Sequence, residues 1–240
     1  MKKQWMIGFF AVSMAVWAWT SPVGAAPGQP VEVSADVIDY DAAQGQVHAS
    51  GNVIMKQTNA TITGSEVHYN MKSMEGLITG GVHAVKDDAT LTASEVKTYN
   101  NTRMVATGSP ILVKGQSKAT GSTIEYDSEK QYALIPSEAR LESADGVMTA
   151  NKIEAFYQED RAVGEGAVHL VSESRQVDAT GDHLDYYGLQ TAGKGRAVLT
   201  GNARALQEGN LITGDTLTIH MDSQTADAKG RTKLVITPKE

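Results

Sequence analysis

One eight-residue pattern recurs seven times beyond residue 30, and it restricts the fold more than any other feature of the chain. The copies read VSADVIDY (33–40), ITGSEVHY (62–69), LTASEVKT (91–98), ATGSTIEY (119–126), MTANKIEA (148–155), ATGDHLDY (179–186) and ITGDTLTI (212–219). Each runs apolar, Ser or Thr, Gly or Ala, a small polar residue, any residue, aliphatic, any residue, usually Tyr. The sixth-position aliphatics are Ile38, Val67, Val96, Ile124, Ile153, Leu184 and Leu217, spaced by 29, 29, 28, 29, 31 and 33 residues. So regular a period marks a repeat architecture in which each unit is one supersecondary element.

Between octets lie a polar turn and a second apolar segment. Turns fall at 41–45, 70–76, 100–103, 127–130 and 158–160. The second segments include GNVIMK (51–56), GVHAVK (81–86), SPILVK (109–114), SEARLE (137–142) and GAVHLV (166–171). Each repeat therefore reads strand, turn, strand. Enrichment in Thr, Val, Ile and Tyr with period-2 alternation supports strands, and no stretch after residue 26 carries a 3.6-residue apolar stripe. The predicted fold is all-β: a repetitive antiparallel sheet of seven strand-turn-strand repeats, forming one domain over 26–240.

Parity within the octet adds a second restriction. Apolar residues occupy position 1 and again positions 6 and 8. A flat strand cannot present positions 1 and 6 on one face, because successive side chains alternate. The small residue at position 3 and the polar residue after it suit a bulge or bend. A bend in every unit would fold the sheet lengthwise into a V-shaped trough. The plainer alternative is that position 1 faces outward.

The first 25 residues have the layout of a secretory signal peptide. Lys2 and Lys3 precede an apolar run over 5–20, and Val23 and Ala25 stand at −3 and −1 of a cut after Ala25. Cleavage would remove both lysines and no acid, moving the formal charge from −7 to −9. The alternative is an uncleaved anchor. All three Trp and two of the three Phe lie in this leader, so the rest of the chain has few aromatics on which bases could stack. Its acidity argues against a nucleic-acid groove. The absence of cysteine excludes disulfides, lipoprotein attachment and thiol chemistry.

Motifs that carry chemistry are missing. No two of His48, His68, His83, His169, His183 and His220 are three or four residues apart, so no HExxH motif and no metal site are expected, and a polar strand face explains His68 and His183. GEGAV (164–168) and GKGRAV (193–198) read as hairpin turns, since neither opens a helix. The carboxylates are scattered, as on solvated strand faces, whereas glycoside chemistry needs a facing pair. Neither a catalytic residue nor a cofactor is expected.

The Gly-Asp-x-Leu cores (181–184, 214–217) and the Gly-Asn-Val and Gly-Asn-Ala segments (51–53, 201–203), repeated behind a leader, resemble the OstA-like family of periplasmic lipopolysaccharide-transport proteins. The resemblance covers about residues 31–237. It implies a β-jellyroll, or β-taco, that carries lipopolysaccharide between the membranes with lipid A acyl chains in its groove. It also implies head-to-tail self-association, and inner-membrane LptC-like and outer-membrane LptD-like partners. Seven repeats exceed the family's usual length. The expected groove rows are Ile38, Val67, Val96, Ile124, Ile153, Leu184 and Leu217, faced by Val53, Met55, Val85, Ile111, Val113, Leu141, Val168 and Leu170. The alternatives are a ligand-free structural solenoid, in which Thr98, Ala155 and Arg204 would interrupt the stacked rows, an LptC-like anchored component of the same pathway, and a polysaccharide-cleaving β-helix, which lacks its carboxylate cluster.

Overall fold

The strands follow the octets. The computed structural model describes residues 31–57, 59–143, 146–173, 176–188, 195–207, 209–220 and 225–237. The expected leader, residues 1–25, and the start of the 193–198 turn lie outside the described residues. No described residue is helical, and every strand pairing with an assigned register is antiparallel. Seven octets and seven second segments would give fourteen strands. Twenty are present among the described residues because six of the fourteen are interrupted midway, near the position where the sequence predicts a bend.

The chain divides into two compact units, with the divide between Pro136 and Ser137, inside a second segment. The repeat period runs through this point without a change.

The unit spanning 31–136 contains β1 (Glu32–Ser34), β2 (Val37–Asp41), β3 (Gln46–Gln57), β4 (Ala60–Asn70), β5 (Glu75–Lys86), β6 (Ala89–Tyr99), β7 (Arg103–Thr107), β8 (Ile111–Lys114), β9 (Ser117–Thr120), β10 (Thr123–Asp127) and β11 (Tyr132–Ile135). Strands β3 to β6 pair in chain order. At each end of that run the ladder forks into two limbs. β1 and β2 both pair with β3, and β7 and β8 both pair with β6.

The unit spanning 137–237 repeats the plan. It holds β12 (Ala139–Ser143), β13 (Gly146–Ala150), β14 (Lys152–Phe156), β15 (Arg161–Ser172), β16 (Val177–Tyr187), β17 (Arg196–Gln207), β18 (Asn210–His220), β19 (Thr225–Lys229) and β20 (Lys233–Val235). β13 and β14 both pair with β15, and β19 and β20 both pair with β18.

The turns between paired strands are closed by short polar side chains. Asp41 Oδ1 accepts hydrogen bonds from the Ala43 and Gln44 amides at 2.9 Å each. Asn70 accepts from Lys72 and Ser73, and Asp127 from Lys130. This is the Asx geometry that makes Asp and Asn frequent at such positions.

Candidate functional site

Each long second-segment strand carries a two-residue bulge opposite its octet neighbours. Register shifts fall between Ser50 and Val53, Thr79 and Val82, Glu165 and Val168, and Thr200 and Ala203. In the second segments two successive residues have positive φ, as at Gly51–Asn52, Gly80–Gly81, Gly108–Ser109, Gly166–Ala167, Gly201–Asn202 and Gly230–Arg231. The second member is commonly not glycine, whereas the first is Gly in all six pairs.

Close approach explains the difference. A Cβ on the first glycine would lie 2.2–2.5 Å from the fourth octet residue across the corner: Asp36, Ser65, Ser94, Asn151, Asp182 or Asp215. A Cβ on Gly81, a second member, would meet nothing within 4 Å. The same octet residue fastens the corner. Ser65 and Ser94 donate their hydroxyls to the carbonyls of Gly80 and Gly108. The Asp36, Asn151 and Asp215 amides donate to those of Gly51, Gly166 and Gly230 at 2.8–2.9 Å.

At the corner the octet strand changes its inward parity (Ile62 to Val67, Leu91 to Val96) while the bulged second segment keeps its own (Ile78 to Val82), so both limbs turn apolar side chains to the same side. In 31–136, Val53, Ile62 and Leu91 are buried from one limb and Val67, Ile78, Val96 and Ile124 from the other. In 137–237, Leu141, Met148, Val168 and Leu170 are buried on one limb and Ile153, Leu184, Leu199 and Leu217 on the other. The limbs lie over one another, since a Cβ at Gly164 would sit 3.3 Å from the Met148 Cε and from the Val168 Cγ2. Small side chains (Ala49, Ala106, Ala179, Ala203) alternate with the large ones and keep the limbs close.

Eleven of the fifteen expected groove residues are therefore buried: Val53, Met55, Val67, Val96, Ile124, Leu141, Ile153, Val168, Leu170, Leu184 and Leu217. The structure places the other four differently. Val85, Ile111 and Val113 lie on the opposite face of their strands, where Ala84 and Leu112 point inward instead. The inward face of a second segment is set by counting from the positive-φ pair. The residue after the pair is inward, as at Val53, Val82, Pro110 and Val168, and alternate residues follow. Apolar content alone does not show this. Ile38 is inward by parity but 46% exposed, because β2 pairs only with β3 among the described residues. Ile62, Leu91 and Met148, signalled by octet position 1, and Ile78, Leu112 and Leu199, on the alternation that runs through the positive-φ pair, also belong to the rows.

The outer faces carry ion pairs. Arg103 meets Glu125 at 2.7 Å, Lys152 meets Glu154 at 2.8 Å and Arg161 meets Asp185 at 2.6 Å. Burial raises the Asp185 pKa, but the hydrogen bonds and charges of Arg161 and His183 outweigh it and hold the carboxyl below its ordinary range. In 31–136 the outer face also has a cavity of about 420 Å³, bounded among others by His48, His68, Tyr69, Leu77, Lys97 and Tyr99. At its edge Glu66 Oε1 lies 2.9 Å from His48 Nε2 and 3.0 Å from His68 Nε2. Hydrogen bonds from His48, then His68, hold the Glu66 carboxyl below its ordinary range.

A family model described as LptA/(LptD N-terminal domain) LPS transport protein matches residues 25–75, 62–161 and 158–225. The chain belongs to that family. Successive, overlapping matches of one model to this LptA/LptD N-terminal family member follow from its repeat. Among solved structures it is similar to LptH, the LptA-homologous periplasmic component of the lipopolysaccharide transport device of Pseudomonas aeruginosa. The identity is 15%, with 88% of this chain and 96% of that chain covered and a TM-score of 0.18. No curated protein matches the chain.

Proposed function

We propose that the protein is a periplasmic component of lipopolysaccharide transport that holds acyl chains between the limbs of its bent strands and performs no catalysis. Membership of the LptA/LptD N-terminal family supports the transport role. The observation that carries the binding mode is the pair of facing apolar rows in each unit, with no helix among the described residues to cover them. The rows are closed against one another: Leu184, Leu199 and Leu217 are at most 1% exposed. Lipid therefore enters by parting the limbs. Acyl methylenes then re-cover the surface that parting exposes, at about 0.8 kcal/mol each, so opening costs little apolar burial while lipid is present. The anionic headgroup stays in solvent, which an acidic chain tolerates.

The leader at 1–25, cleaved after Ala25, would deliver the chain to the periplasm. Strand addition between ends would join copies head to tail and dock LptC-like and LptD-like proteins. This reading is supported by β1 and β2, which pair only with β3, and β19 and β20, which pair only with β18, among the described residues. Such free edges recruit further strands. Val37, Ile38 and Tyr40 near one edge and Leu234 and Ile236 near the other are exposed.

A photo-crosslinking residue at Ile124, which faces inward, should capture lipopolysaccharide in cells. The same residue at Glu125, which faces outward, should not. Equal capture at both positions refutes the facing, and no capture at Ile124 refutes the groove.

A further inference from the structure

One carboxylate on the outer face meets two imidazoles at once. Glu95, Glu125, Glu142, Glu154 and Asp185 each have a Lys or Arg nitrogen within 2.9 Å. The ion pairs of Glu66 are to two imidazoles, from His48 and His68. These rings are directly opposed across the β3–β4 ladder and stack at 4.2 Å with 7° between planes. Where the neighbouring ladders place a Lys or Arg, this one places two imidazoles.

We propose that His48, Glu66 and His68 bind a divalent first-row transition ion, of which zinc is the representative. The ligand atoms of all three lie within 4.8 Å of one another. Tetrahedral coordination with zinc–ligand distances of about 2.0–2.1 Å sets ligand atoms about 3.4 Å apart. The two imidazole–carboxylate separations, 2.9 and 3.0 Å, need to widen by a few tenths of an ångström, and the stacked rings must tilt so that both Nε2 lone pairs meet the ion. Two imidazoles with one carboxylate suit zinc, copper or nickel over calcium or magnesium, which prefer oxygen alone.

The surroundings fit the same ion. Asp39 Oδ2 lies 3.8 Å from His48 Nδ1. When the ion takes Nε2, the ring proton moves to Nδ1, and Asp39 must close by about 1 Å to accept it and orient the ring. Glu66 and Asp39 together neutralise a +2 charge. The nearest fixed cation on the cavity wall, Lys97, is turned to Glu95 at 2.9 Å. The cavity beside the rings leaves a fourth position for water. All three ligands are partly solvent-accessible, so an ion can reach them without unfolding.

The test is zinc titration calorimetry on the exported protein, purified without a histidine tag and stripped with chelator. One zinc should bind per chain. His48→Gln, Glu66→Gln and His68→Gln should each weaken binding at least about tenfold, and Asp39→Asn should weaken it less. His183→Gln, in the other unit, should leave it unchanged. Cobalt in place of zinc should give visible d–d absorption that His68→Gln removes. Circular dichroism of each variant shows whether the fold is kept, which the exposure of these side chains favours. Failure of the native protein to take up zinc, or a His48→Gln/His68→Gln double variant that binds as the native does, overturns the proposal.

Discussion

Gly80 and Gly81 offer a controlled test of the corner, because the two adjacent residues have nearly the same φ and differ in what surrounds them. Their φ angles are +83° and +80°. Alanine at Gly81 meets no atom within 4 Å, so it bears only the left-handed backbone term of roughly 1–2 kcal/mol. Stiffening of the unfolded chain offsets about 0.4–1 kcal/mol of the loss, leaving a net destabilisation of about 0.5–1.5 kcal/mol. Alanine at Gly80 bears the same term and also places its Cβ 2.3 Å from the Ser65 Cβ, with the Ser65 amide nitrogen at 3.2 Å. These atoms sit on or next to the backbone and cannot swing aside. Displacing them adds about 1–3 kcal/mol of overpacking, and the Ser65-to-Gly80 hydrogen bond adds roughly 0.5 kcal/mol when lost. Gly80→Ala should therefore cost about 2–5 kcal/mol. Urea unfolding followed by far-ultraviolet circular dichroism measures both; tryptophan fluorescence does not serve, because all three tryptophans lie in the first twenty residues. In a Ser65→Gly background the clash is gone, and Gly80→Ala should cost no more than Gly81→Ala does. Equal losses from Gly80→Ala and Gly81→Ala in the native background would refute the close-approach account of the first glycine.

Thr98 occupies an apolar row at 2% exposure, and its Oγ1 has no hydrogen-bond partner. Replacing it with Val removes a stranded polar atom at constant shape and should stabilise by about 1 kcal/mol, read as a higher urea midpoint with an unchanged slope. Asp185 titrates below its ordinary value of 3.8 because of Arg161 and His183. Its contribution is present in full above that ordinary value and is lost as pH falls through the lower folded value; Asp185→Asn should flatten the acid limb of stability against pH, and an unchanged limb would contradict the pairing. Leu234→Lys with Ile236→Lys places like charges on the free C-terminal edge and should lower concentration-dependent light scattering. Scattering equal to that of the native chain would rule out strand addition through that edge.

The octet pattern by itself determined the strand class, the strand count before interruption, the place of the bend and the inward row from Val67 to Leu217. These follow from local rules: side chains alternate along a strand, and a parity break marks a bend. The glycine that starts each positive-φ pair was visible in the sequence, but the reason only glycine fits there was not. That reason is the fourth octet residue of a neighbouring strand, a contact that exists only once the corner is formed. Val85, Ile111 and Val113 look like core residues by composition but alternate with the buried row of Ile78, Val82 and Ala84 or of Met104, Ala106, Pro110 and Leu112, and so face outward. Ile38 has the inward parity of its row and is exposed because its strand has a neighbour on one side only. His48 and His68 are twenty residues apart in sequence and meet face to face because the β3–β4 register pairs them across the ladder. The sequence spaced the repeats, whereas the registers between strands decided which polar side chains meet on the outer face.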